Sequence, residues 1–190
     1  RPLVFSDNDR PGVMMADAVR TYVNRYAALP GRNAVVFTNN DSAWDAAFDM
    51  ANAGIAIAAI VDLREAVRPA LADAARERGI RIFTGHGIVG IEGARAVHAV
   101  GIARLSQDGT RDTGTGERIA CDLVAMSGGW NPAVHLFCQS QGRLRYDDDQ
   151  ACFVPDRPAQ RQHSAGAANG SFGLAAALNE GHSAGAEAAK

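Results

Sequence analysis

The sequence predicts an α/β fold: a parallel sheet with flanking helices, to which a small antiparallel meander has been added. Three observations carry this. Apolar runs of strand length, residues 33–38, 55–61 and 80–84, alternate with stretches of helical period. The resulting strand–helix–strand–helix–strand order has the spacing that right-handed parallel crossovers require. From Gly87 to Ala120 the rhythm then changes to short strands without helices.

Residues 2–12 hold few helix formers and close on the turn signal Pro11-Gly12. Residues 13–28 read as a helix with an apolar stripe of Met15, Val19, Tyr22, Val23 and Tyr26, ended by Pro30-Gly31. The first strand, 33–38, follows. Asn40 or Asp41 can cap a helix running to about Ala53, whose small face (Ala43, Ala46, Ala47, Met50) suits close approach to a sheet. Gly54 stops it. Residues 55–61 are apolar on both faces, as in parallel strands covered on both sides. A helix over about 69–78 ends at Gly79 and leads into 80–84. Residues 87–92, 97–105 and 117–120 read as the meander, separated by Gly93 and a polar turn over 107–116, before 123–126 returns as a strand. A second change of composition at Ser127-Gly128-Gly129 opens the remainder: a short segment over 131–140, a hairpin over 144–154, a strand near 163–165 and a final helix over about 171–188.

The chain of 190 residues suffices for one sizeable domain, or one domain and part of another. Hydrophobic residues at 47% against 21% charged predict a packed core rather than disorder. The net charge of -2, without a basic stripe, argues against nucleic acid as a partner. No apolar run reaches membrane-spanning length, so no membrane partner is expected. A targeting segment is not seen either, in a chain that starts at Arg1. Cys121, Cys138 and Cys152 lack CxxC or metal-type spacing and read as thiols of a reducing, cytoplasmic compartment.

The first strand–helix–strand unit carries the strongest chemical signal. A Rossmann-like dinucleotide site needs a strand, a tight turn and a helix whose N-terminal amides meet the pyrophosphate. An acid about 20 residues on holds the ribose hydroxyls. Asp62 stands where that acid belongs. The turn, however, runs Thr38-Asn39-Asn40-Asp41-Ser42-Ala43, with Thr38 and Asn40 in the places of the first two fingerprint glycines. Asn tolerates left-handed dihedrals but projects a side chain where the backbone should approach phosphate, and Asp41 adds negative charge. The expectation is a three-layer nucleotide-binding fold whose site is dead or altered. Retained nucleotide binding, or another ligand, are the alternatives. His86, His135 and His163 have no metal-type set around them, and no metal is expected. Asp147, Asp148 and Asp149 read as a solvated hairpin turn, while Trp130 and Phe137 read as core or interface aromatics able to cover a cofactor. No catalytic constellation stands out.

These residues resemble the two-dinucleotide-domain flavoproteins of the thioredoxin and glutathione reductase type. Residues 36–43 are similar to their Val-Gly-Gly-Gly-Asp-Ser-Ala segment, and Ser127-Gly-Gly-Trp-Asn-Pro132 to their crossover into the FAD domain. Ala165-Gly166-Ala167 stands where they carry Ala-Gly-Asp. Nearly the whole chain resembles, more specifically, the large (alpha) subunits of heterotetrameric sarcosine oxidases. The runs that carry this are Arg1-Pro-Leu-Val4, Asn8-Asp-Arg-Pro-Gly-Val13, Phe37-Thr-Asn-Asn-Asp-Ser42, residues 127–137 and Gly166-Ala-Ala-Asn169.

The resemblance implies an interior piece of a longer subunit. Residues 1–31 would belong to an FAD-like, NAD-holding domain, 32–126 to an inserted NAD(P)-binding-like domain, and 127–190 to the return into the FAD/NAD(P)-binding-like domain. It implies a complex that demethylates sarcosine to glycine, reduces O2 to hydrogen peroxide, and passes the one-carbon unit to tetrahydrofolate. FAD on the beta subunit and FMN near the alpha–beta interface would carry the redox chemistry. Gamma and delta subunits would complete the assembly, and this segment would be a scaffold. NAD would be held in the alpha subunit by the junction Gly166, Ala167, Ala168, Asn169 and Gly170, with Trp130 and Asn131 nearby. Thr38, Asn40 and Asp62 mark the inserted site. With no acid at Ala167, and with Asn169 and Ser171 capping the last helix, the junction is expected to favour phosphate oxygens. The alternatives are an NAD(P)H-dependent flavoprotein reductase or related amino-acid dehydrogenase subunit, and a purely structural docking domain.

Overall fold

Covering both faces of a parallel sheet is what shapes the first 129 residues. The computed structural model describes residues 1–106 and 116–190, in two compact units, Arg1–Gly129 and Trp130–Lys190. The first unit runs β1 (Val13–Met15), α1 (Ala16–Tyr26), β2 (Asn33–Thr38), α2 (Ser42–Asn52), β3 (Ala56–Asp62), α3 (Pro69–Glu77), β4 (Ile82–Thr84), β5 (His86–Glu92), β6 (Ala99–Arg104), β7 (Glu117–Ala120) and β8 (Leu123–Ser127). Strands β1, β8, β2, β3 and β4 form, in that order, one sheet with parallel pairing throughout. Strands β5, β6 and β7 form an antiparallel sheet of their own.

Alternation along the strands divides the core in two. Ala34, Val36, Ile60, Leu123 and Ala125 pack with Val19 of α1 and with Trp44, Ala47 and Met50 of α2. Val35, Phe37, Val61, Val124 and Met126 pack with Ile88, Val100, Ile102 and Ile119 of the meander. Strand residues of both parities are therefore apolar, as the sequence indicated. The small face of α2 is buried as expected, at Ala43, Ala46, Ala47 and Met50.

The start of the first unit differs from the sequence expectation. Residues 13–15 are an edge strand, not the first turn of a helix, because β8 offers a partner: Val13, Met14 and Met15 register with Val124, Ala125 and Met126. The buried stripe of α1 is consequently Ala16, Val19 and Val23, while Tyr22 and Tyr26 are exposed. β1 and α1 lie in the first unit, α1 packing into its core. The turn expected over 107–116 lies almost wholly outside the described residues.

The second unit contains α4 (His135–Gln139), the antiparallel hairpin of β9 (Arg143–Asp147) and β10 (Cys152–Arg157), a single 3-10 turn (Gly166–Asn169) and α5 (Leu174–Ala188). The strand expected near 163–165 is not formed. Ala165 is extended, but a strand needs a neighbour for its amides, and the following N–H, that of Gly166, goes to a carboxylate instead. Helix α5 begins at Leu174 behind Gly173, without a side-chain cap, so Asn169 and Ser171 do not cap it. No helix among the described residues is long and apolar enough to cross a membrane.

Candidate functional site

The strand order reverses between β8 and β2, and ligands of open α/β sheets bind at such switch points, beyond the carboxyl ends of the strands. Here that ground is filled by the protein's own side chains. Thr38, fully buried, accepts the Asn40 N–H at 3.0 Å, and its hydroxyl lies 3.1 Å from the carbonyls of Asn40 and Ser127. The Asn40 amide donates to the Ser127 carbonyl and hydroxyl oxygens, both at 3.0 Å, while its own oxygen accepts the Ser42 hydroxyl at 2.6 Å. The side chain that replaces a fingerprint glycine therefore ties β2 to β8.

Asp62 ends β3 opposite Thr38 and is 0% exposed. Its Oδ1 accepts the backbone N–H and the Nε of Arg64, both at 3.0 Å; its Oδ2 accepts Trp44 Nε1 at 3.0 Å and Arg64 Nη2 at 2.8 Å. Four donors use the four lone-pair positions of a carboxylate. Arg64 Nη1 continues to Asp41 at 2.8 Å. The hydrogen bonds it donates to Asp62 are the main reason that this guanidinium holds its proton more firmly than usual, with Asp41 adding to them against the cost of burial. Asp41 precedes α2 but makes no cap. The residues present do not fit an NAD here, because Asp62 has no acceptor left for a ribose hydroxyl and the Asn40 side chain is committed to Ser127 and Ser42. Spacing alone located Asp62; Arg64, Trp44 and Ser127 were not anticipated.

The junction at 166–170 is different. Gly166 and Gly170 adopt φ of +60° and +88°, the left-handed region that favours glycine. A Cβ on Gly166 would lie 3.2 Å from that of Ala177, and one on Gly170 3.1 Å from a methyl of Val154. The Gly166 N–H donates to Glu180 at 2.8 Å, the Asn169 amide reaches the same oxygen at 3.4 Å, and the Ser171 hydroxyl bonds the other. An acid does stand at this turn, contrary to the expectation drawn from Ala167. It comes from the second turn of α5, which folds back over the 3-10 turn. The Ser171 hydroxyl first, then the Gly166 N–H, hold the Glu180 carboxyl below its ordinary range. Donors from Gly166, Asn169 and Ser171 thus converge on one carboxylate, next to the small Ala167 and Ala168.

Ala167 is exposed, and its carbonyl accepts the Ala133 N–H at 3.4 Å, which ties the turn to the loop after Asn131. Trp130 is 43% exposed. Asn131 lines a cavity of about 600 Å³ with His135, Leu144, Tyr146 and Phe153. His86 Nδ1 lies 2.7 Å from the Thr84 carbonyl, and His163 pairs with Glu187 at 3.8 Å. Among the described residues no group of His, Cys, Asp and Glu could hold a metal ion.

No protein-family model matches the chain. Whole-chain similarity is more informative. A sarcosine oxidase subunit alpha from Corynebacterium sp. (strain P-1) is 43% identical over 191 residues, covering 100% of this chain. By sequence, the chain is kin to the sarcosine oxidase alpha subunit. The subunit of the same name from Rhizobium meliloti (strain 1021) is 38% identical over 181 residues, covering 95% of this chain. The chain spans only 19% and 17% of these two sarcosine oxidase subunits. Among solved structures, the thioredoxin reductase of Lactococcus lactis aligns with 99% of this chain and 61% of its own, at a TM-score of 0.69 and 15% identity. That of T. acidophilum aligns with 89% and 53%, at 0.67 and 20%. These two show the fold that the sarcosine oxidase-like sequence adopts.

Proposed function

We propose that this chain is a segment of the alpha subunit of a sarcosine oxidase-type complex, and that it serves there as a dinucleotide-fold scaffold carrying no catalytic residue. The observation that carries the reading is similarity along the whole chain to subunits of that name. The complex would demethylate sarcosine to glycine, reduce O2 to hydrogen peroxide, and transfer the one-carbon unit to tetrahydrofolate. FAD and FMN, held elsewhere in an assembly with beta, gamma and delta subunits, supply the redox chemistry. A cytoplasmic location accords with Cys121, Cys138 and Cys152 standing outside any disulfide.

Within this reading the two candidate nucleotide sites part company. The crevice of Thr38, Asn40 and Asp62 is committed to internal hydrogen bonds and holds no ligand. The turn of Gly166, Ala167, Ala168, Asn169 and Gly170, beside Trp130 and Asn131, belongs to the domain that spans 127–190 and contacts the NAD of the intact subunit. Gly166 and Asn169 would donate to its acidic portion once Glu180 swings aside. The nucleotide released on denaturing the purified complex tests this directly. NAD is expected from the wild type, and loss of NAD from intact assemblies carrying Gly166→Val or Ala167→Asp. Undiminished NAD in both variants would defeat the assignment.

A further inference from the structure

The crevice beyond β2 and β3 is more than short of glycines, because a guanidinium sits in it. Arg64 follows β3 by two residues, and its planar fork meets both oxygens of Asp62, Nε at 3.0 Å and Nη2 at 2.8 Å. Its third nitrogen reaches Asp41 at the start of α2, at 2.8 Å, so one side chain spans the mouth from strand end to helix start. The two ends of the pair differ in solvent contact. The Arg64 side chain is 32% exposed and that of Asp62 0%, which places Arg64 between the carboxylate and water. A ribose cis-diol offers two adjacent donors to such a carboxylate and would have to come from that same side. The fork geometry of arginine is matched to bidentate capture of a carboxylate in a way that a lysine ammonium is not.

We infer that Arg64 is an internal occupant of this crevice, taking on Asp62 the place of a nucleotide's ribose diol, so that the first unit closes without a nucleotide. The inference deepens the scaffold reading and rests on it only for calling the crevice a former nucleotide site. It assigns the closure to a removable side chain rather than to the loss of glycines alone.

Adenosine is the probe, because it carries the diol without the pyrophosphate. Equilibrium dialysis and thermal melting are run on the purified alpha subunit that contains this sequence. The wild type is expected to show no saturable adenosine binding up to about 1 mM, and Arg64→Ala to bind at least about tenfold more tightly than the wild type. The gain should vanish in Arg64→Ala/Asp62→Asn. Arg64→Ala should also melt roughly 10 °C below the wild type, from the buried charge it strands, and Asp62→Asn should restore part of that loss. Adenosine binding by Arg64→Ala no better than by the wild type would overturn the inference. If Arg64→Ala does not fold, Arg64→Lys decides between the outcomes. Its single ammonium leaves one Asp62 oxygen open, so adenosine binding above the wild type is expected, and equal binding refutes the proposal. Peroxide formation from sarcosine by the assembled complex tests the functional reading separately, and neither adenosine outcome bears on it.

Discussion

Removing the Asp62 carboxylate should destabilise the chain by an amount that can be worked from its partners. Asp62→Ala leaves Trp44 Nε1, in a fully buried side chain, and the Arg64 backbone N–H without their acceptors. Each buried donor left unpaired costs about 1–3 kcal/mol. The Arg64 guanidinium adds little, since it is 32% exposed, keeps Asp41, and recovers water where the carboxylate stood. The two donors together set the loss at about 2–6 kcal/mol, which for a chain of this size lowers Tm by roughly 5–20 °C. Urea unfolding followed by tryptophan fluorescence is a suitable assay, with Trp44 in the core and Trp130 exposed. Asp62→Asn retains one acceptor oxygen and should lose less. A stability within about 0.5 kcal/mol of the wild type for Asp62→Ala would refute the argument that this carboxylate is fully committed.

Thiol labelling at neutral pH should modify Cys138, which is exposed, well before Cys121 and Cys152, which are buried; burial, with Asp122 beside it, pushes the Cys121 thiol up to about 12. Peptide mass mapping showing equal rates for Cys121 and Cys138 would contradict the packing. The Glu180 carboxyl is held low in the folded chain, so its contribution to stability is present above the unfolded carboxyl's value and is lost as pH falls through the folded one. Hydrogen exchange at the Gly166 amide should quicken over that acidic interval beyond the intrinsic trend. Glu180→Gln should show weak protection at every pH, and a profile identical to the wild type would count against the contact. Ala47→Leu, under the sheet at 0% exposure, should cost about 1–3 kcal/mol in urea unfolding by overpacking the α2 interface; an unchanged midpoint would mean that helix and sheet are less closely seated.

The sheet was legible because its strands are buried on both faces, and such strands announce themselves as short apolar runs between glycines, whatever their neighbours. Residues 13–15 were not, since three residues leading into a helix become a strand only through β8, more than a hundred positions later. At the candidate sites, spacing located Asp62 and substitution chemistry marked Thr38 and Asn40. The commitment of Asp62 depends on Trp44 and Arg64 converging from α2 and the segment after β3, which no local pattern encodes. Glu180 was invisible for a related reason. A carboxylate within α5 reads as a solvated helix residue until the turn at Gly166 brings three donors to it. Ala167 itself carries no acid, and the carboxylate in the space around it comes from Glu180.

The most direct test of the central claim compares two reductants on one preparation, the purified complex whose alpha subunit contains this sequence. Hydrogen peroxide formation is followed first with sarcosine and then with NADH or NADPH as the sole electron donor. A sarcosine oxidase-type complex with a closed inserted crevice should produce peroxide from sarcosine and none from the nicotinamides. Oxidation of NADH or NADPH by a preparation inert to sarcosine would contradict the account and return the chain to the reductases it resembles in fold.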